Sequence, residues 1–114
     1  MATRKITTEP GHSFKDAVSN TPETTISVGD TIEWVNNDGE EHTIVSDNVP
    51  PFNTLTPPLN GDIANANDTY PYPLPFQAGD YGYHCDIHGG DPATKLGMYG
   101  IIHVKAAAES TVCD

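Results

Sequence analysis

The chain has 114 residues, with 16 acidic and 5 basic side chains and a formal charge of -11 at neutral pH. That length supports one domain with one modest core, and the charge balance excludes nucleic acid and anionic membrane surfaces, which would repel the chain. No apolar run approaches the roughly 18 residues that a membrane-spanning helix needs. Glycine and proline number ten each, and turn signals recur at the spacing of an all-β fold. Phe14 to Val18 reads as a turn or a short edge strand. Thr24 to Val28 alternates and ends at Gly29-Asp30. Thr31 to Val35 continues with Ile32 and Trp34 on one face, and Asn36-Asn37-Asp38-Gly39 has the residues of a turn. His42 to Val45 is the next strand. Residues 47–78 hold seven prolines and read mostly as loop, because proline cannot donate to a sheet ladder. Gly79-Asp80 opens a strand over Tyr81 to Cys85, with Tyr81, Tyr83 and Cys85 on one face. Met98 to Val104 is the last strand, with Met98, Gly100, Ile102 and Val104 inward by the period of two. No amphipathic helix is predicted. The expectation is one antiparallel β sandwich over residues 1–105 and a frayed tail over 106–114.

Two cysteines, Cys85 and Cys113, permit at most one disulfide. The amino terminus has no apolar segment of the kind a signal peptide carries, so the sequence fits either a cytoplasmic chain or a mature form. The densest chemical pattern is Tyr83-His84-Cys85-Asp86-Ile87-His88, followed by Gly97-Met98-Tyr99-Gly100. A thiolate and an imidazole three residues apart, at the end of a strand, can face one metal ion. His42 starts a strand that a sandwich can bring alongside. Two imidazoles, a thiolate and a weak thioether are the donors of a trigonal copper site with a long axial bond. Such a mixed set serves Cu(I) and Cu(II) with little rearrangement, which lowers the barrier to moving one electron.

The ordered segments Val28 to Asn36, Glu41 to Val45, Ala78 to Cys85, Cys85-x-x-His88 and Gly97-Met98-x-Gly100-x-Ile102-x-Val104 resemble the cupredoxins, small blue copper proteins of the plastocyanin, pseudoazurin and halocyanin group. The resemblance runs from about Thr24 to Val104. It implies a Greek-key sandwich, one copper per chain, His42, Cys85 and His88 as equatorial ligands and Met98 as the axial one. It also implies an extracytoplasmic electron carrier, expected to be a monomer, that meets a redox partner such as a cytochrome or a copper enzyme with a basic docking face. In the relatives the methionine follows the second histidine closely, whereas here nine residues, Gly89 to Gly97, intervene. The expectation is an insertion that loops outward and returns Met98 to its place. The alternative is a small copper enzyme or sensor in which the insertion leaves a coordination position open, or gives it to a carbonyl, a water or Asp91.

Around the ligands, Thr43 is expected to tie two ligand loops together, with its N–H directed at the Cys85 sulfur. Pro51, Phe52 and Ile87 are expected to shield the site or rim His88, and Glu40-Glu41 to steer a partner. Trp34, Tyr81 and Tyr83 read as core. His12, His84 and His103 read as ordinary surface histidines, and Cys113 as a tail thiol. Asn67-Asp68-Thr69 fits a glycosylation sequon, a pattern short enough to arise by chance.

Overall fold

The structure is a computed structural model that describes residues 3–72 and 75–106. The expected fraying of the tail and the role of Cys113 fall outside those residues, apart from Ala106. Eleven strands are present among the described residues: β1 (Thr3–Glu9), β2 (Ser13–Asp16), β3 (Glu23–Ser27), β4 (Thr31–Val35), β5 (His42–Ser46), β6 (Asn60–Ile63), β7 (Thr69–Tyr72), β8 (Gly79–His84), β9 (Gly90–Asp91), β10 (Leu96–Gly97) and β11 (Tyr99–Lys105). They form a four-stranded sheet in the order β2-β1-β4-β7, a five-stranded sheet in the order β3-β11-β8-β5-β6, and the small ribbon β10-β9. No helix of the described residues is long and apolar enough to cross a membrane.

The all-β sandwich stands, but its sheets are mixed where purely antiparallel ones were expected. β1 pairs with β4 in parallel, Ile6 opposite Trp34, and β11 pairs with β3 in parallel, Ile102 opposite Thr24. Parallel neighbours need a long crossover in place of a hairpin. From Glu9 to Thr31 the chain passes through β2 in one sheet and β3 in the other, which supplies one. Residues 47–78 also hold two short strands, β6 and β7. Pro71 sits within β7 because β7 is the edge of its sheet and has no second partner there.

Alternation dictates the core. Ile26, Ile32, Trp34, Ile44, Tyr81, Tyr83, Ile102 and Val104 are buried between the sheets, together with Ile6, Phe14 and Ile63. The Tyr83 ring packs edge-on against Phe14 at 4.9 Å and against Trp34 at 5.3 Å between centroids. Gly100 lies opposite Tyr83 in the β8–β11 ladder, and a Cβ there would overlap the Tyr83 ring. Glycine at this position lets the ring lie flat over the neighbouring strand.

One buried carboxylate locks the closed end of β2. Asp16 accepts hydrogen bonds from Arg4 Nη1 (3.1 and 3.2 Å), Ser19 N (2.8 Å), Val18 N (3.1 Å) and Thr24 Oγ1 (3.1 Å). Burial alone would raise its pKa, but the Ser19 N–H, the Arg4 guanidinium and the Thr24 hydroxyl together hold it below the ordinary 3.8. A carboxyl more acidic in the folded chain than in the unfolded one stabilises fully above its unfolded pKa, and that stabilisation is lost as the pH falls through the folded value. Asp16→Asn should therefore cost about 1–3 kcal/mol near neutral pH. It should also lose less further stability than the parent between about pH 5 and about pH 3. Denaturant unfolding at each pH measures both.

Candidate metal centre

The site forms where the start of β5, the end of β8 and the loop after it converge. His42 is the first residue of β5 and is fully buried. Its Nε2 lies 2.9 and 3.0 Å from the two carboxylate oxygens of Asp38. Asp38 is held in place by its own turn. Asn36 Oδ1 accepts the N–H groups of Asp38 (3.1 Å) and Gly39 (2.9 Å), and Asp38 Oδ1 accepts the Glu40 N–H (3.1 Å). Burial pushes the Asp38 carboxyl up, but the hydrogen bonds from His42 and the Glu40 N–H prevail and keep it ionised. An acceptor-only carboxylate at Nε2 fixes the proton there and leaves Nδ1 with a free lone pair.

Cys85 directly follows β8 and is buried. Its Sγ accepts the Thr43 N–H at 3.4 Å and lies 3.8 Å from Thr43 Oγ1 and 3.5 Å from His88 Nδ1. Thr43 Oγ1 in turn accepts the Asp86 N–H at 2.7 Å. The expectation for Thr43 thus holds in both parts. The Cys85 carbonyl accepts the Gly89 N–H at 2.9 Å, which closes the Cys85-x-x-His88 turn and points His88 back at the sulfur. Burial lowers the His88 pKa, and the neighbouring His12 and His42 lower it further, against the pull of Glu40 and Asp38. The neutral imidazole is the form that binds a metal.

The ligand atoms of His42, Cys85 and His88 lie within 4.8 Å of one another. Among the described residues, His42 Nδ1 is a buried polar atom without a hydrogen-bond partner; Trp34 Nε1 and Tyr83 Oη are the other two, on rings packed against each other in the core. A buried lone pair without a donor is costly. Beside a sulfur and a second imidazole, a soft metal cation removes that cost, so the donor set fits one.

The Gly89–Gly97 insertion does loop outward, as the β9–β10 hairpin with Leu96 opposite Asp91. Met98 follows it, 1% exposed, with its N–H on the Gly89 carbonyl (2.8 Å) and its carbonyl on the Cys85 N–H (3.1 Å). Asp91 is exposed, and its Oδ1 accepts the Ala93 N–H inside the hairpin turn.

Three surroundings differ from expectation. Pro51 and Phe52 line a recess with Pro92 on the outer face of β8, where Phe52 and Pro92 crowd Gly82, and they do not rim His88. Ile87, 50% exposed, is the one of the three that adjoins His88 in the chain. His12, read as an ordinary surface histidine, stacks on His88 at 3.8 Å between centroids and 19° between planes, with Nε2 2.9 Å from Glu40 Oε1. No local pattern announces it, because its partner is remote in the chain. Asp38 was also missed, although its place four residues before His42 in a turn was a usable signal. His84 and His103 face away from the site as expected, each between two carboxylates: Asp47 and Asp86 for His84, Asp80 and Glu23 for His103.

No family model matches the chain. Plastocyanin of Nostoc punctiforme is 36% identical over 93 residues, which cover 71% of this chain and 60% of that protein. Plastocyanin of Scenedesmus fuscus is 39% identical over 84 residues, covering 71% of this chain and 80% of its own. The chain belongs to the plastocyanin-like cupredoxins. A reduced Cu(I) form of an amicyanin mutant shares the fold, with a TM-score of 0.62 and 25% identity over 89% of this chain and 80% of amicyanin. The chain thus spans 60% of the length of the Nostoc relative. In this cupredoxin the carboxylate of Asp38 orients a histidine from behind. Asp38→Ala should weaken transition-metal binding about 10–100-fold, because the His42 ring loses the partner that fixes its tautomer. Competition between the protein and a chelator for cobalt(II) reads the change.

Proposed function

We propose that the chain is a blue-copper electron carrier, with one copper held by His42 Nδ1, Cys85 Sγ and His88 Nδ1 and with Met98 as the weak axial donor. The observation that carries this is the unpartnered, buried Nδ1 of His42 beside the Cys85 sulfur and His88. Copper, when bound, supplies a one-electron Cu(I)/Cu(II) couple. The chain's part is to hold two nitrogens and a sulfur in one arrangement that suits both states. Asp38 fixes the His42 tautomer, and the Thr43 N–H fixes the position of the Cys85 sulfur. The Asp86–Thr43 bond keeps the Cys85 loop against β5. The core excludes water from His42 and Cys85, leaving the His88 side, with the exposed Ile87 next to it, as the face an electron partner meets.

The role is that of a carrier, not an enzyme. An enzyme or sensor would need an open coordination position, and the burial of Met98 beneath an outward hairpin speaks against one. The partner is a redox protein, a cytochrome or a copper enzyme, with a basic docking face that matches the charge of -11. A monomer in an extracytoplasmic compartment suits the kinship with plastocyanins, one of which is named as chloroplastic.

The Cu(II) form should be intensely coloured by thiolate-to-copper charge transfer. Cys85→Ser should abolish the band, and azide or nitrite should leave it unchanged. A colourless copper-loaded protein would rule the carrier out, and a spectrum that shifts with azide would favour the open site. Met98→Ala should keep the colour and raise the reduction potential, since losing a donor destabilises Cu(II) more than Cu(I). The rate of electron exchange with a basic cytochrome should fall roughly tenfold between about 0.01 and 0.3 M salt.

A further inference from the structure

Two groups of candidate ligands are present among the described residues, and they share one histidine. His42, Cys85 and His88 form the inner group; His12, Glu40 and His88 form an outer one, whose ligand atoms also lie within 4.8 Å of one another. Glu40 Oε1 is the meeting point of the outer group, 2.9 Å from His12 Nε2 and 3.5 Å from His88 Nε2. The inner donors use the opposite nitrogen of the same ring, His88 Nδ1, 3.5 Å from Cys85 Sγ.

Exposure divides the two groups cleanly. His42 and Cys85 are 0% exposed and the His88 side chain 17%, whereas His12 is 46% and Glu40 58% exposed. An ion approaching the inner site by way of His88 therefore meets His12 and Glu40 first. The turn that carries His12 has Gly11 at φ 93° and His12 itself at φ 62°, a left-handed conformation that lays the imidazole flat over His88. Glu40 is anchored by its backbone, with its N–H on Asp38 Oδ1 and its carbonyl accepting from Asn36 Nδ2. The same Asp38 holds His42, so the outer and inner groups hang from one turn.

We infer that His12, Glu40 and the Nε2 of His88 form a surface loading site that captures copper and hands it to the inner donors. The inference rests on the copper reading above. Capture breaks the ion's bonds to its carrier ligands, glycinate or water, which leave to solvent, and forms bonds to a ring nitrogen of His12, a Glu40 oxygen and His88 Nε2. Transfer breaks those three and forms bonds to His42 Nδ1, Cys85 Sγ and His88 Nδ1. The Cys85 thiol proton leaves to buffer, and the His88 ring proton moves from Nδ1 to Nε2, with no change in the oxidation state of copper. The negative field of the chain concentrates cations at the entrance. Holding the ion beside its destination makes the second step intramolecular.

The test is the rate at which copper-free protein takes up Cu(II)-glycinate, followed by the growth of the thiolate band in a stopped-flow mixer. His12→Ala and Glu40→Gln should each slow uptake roughly tenfold, with the final spectrum and the copper affinity in chelator competition unchanged within about twofold. His12→Phe keeps a stacked ring but removes the donor, and should be as slow as His12→Ala. Wild-type uptake rates in both alanine and phenylalanine variants would overturn the loading site and leave the carrier reading intact. A normal rate in His12→Phe alone would also overturn it, by assigning the effect to stacking. A wild-type protein that develops no band would remove both readings.

Discussion

The hydrogen bond from the Thr43 main chain to the Cys85 sulfur is the interaction on which the rest of the site depends. A main-chain donor cannot be moved without moving the strand, so the sulfur's position is fixed by the pairing of β5 with β8, Val45 opposite His84. That pairing in turn requires the core beneath it, Ile44 from one strand and Tyr81 and Tyr83 from the other, all buried. The Thr43 hydroxyl adds a second tie by accepting the Asp86 N–H, so the residue after His42 and the residue after Cys85 are held together. Sandwich and site are thus one cooperative object. Anything that loosens the β5–β8 edge also loosens the sulfur.

From this constraint the electrostatics follow. A thiolate needs nearby donors or cations, yet the chain has only 5 Lys and Arg against 16 Asp and Glu. The sulfur's main-chain partner here is a neutral N–H, and a thiolate formed on metal binding would be balanced by the ion itself. The carboxylate nearest the donors, Asp38, is placed behind His42, where it points at Nε2 and away from the cluster. There it polarises the imidazole without competing for the ion. Several other acidic residues pair with histidines, as Glu23 and Asp80 do with His103, and both raise that histidine's pKa against the opposing effect of burial. The acidity is thereby partly balanced by histidines that take up protons as the pH falls.

How far the sequence could be read depends on whether a contact is local. β3, β4, β5, β8 and β11 were legible because core-facing residues recur along each at a period of two, even though β8 and β11 also bury Gly82 and Ile101 between them, and Cys85-x-x-His88 was legible because its spacing is the geometry of one turn. β1 was not, since Thr3 to Glu9 is largely polar and buries only Ile6 and Thr8. β6 and β7 were hidden by the prolines around them, although β7 occupies an edge where proline is tolerated. The parallel pairings carry no local mark at all, because register across a crossover is decided by packing. His12 belongs to the same class: its meaning lies in a stack on His88, formed only once β1 has been laid beside β4.

The insertion between His88 and Met98 shows how such a site tolerates length change. Three main-chain hydrogen bonds tie the ends of the ligand loop: Gly89 N to Cys85 O, Met98 N to Gly89 O, and Cys85 N to Met98 O. They bring residues 89 and 98 together at the base of the inserted segment. Gly90 permits this closure, since a Cβ there would collide with the Met98 backbone. Beyond that neck the chain forms a hairpin, whose exposed Lys95 pairs with Glu23. Loop closure costs little more for a longer segment once the ends are pinned. The position of Met98 is therefore set by its bonds to Cys85 and Gly89 and by the start of β11, and the number of residues that separate it from His88 does not enter.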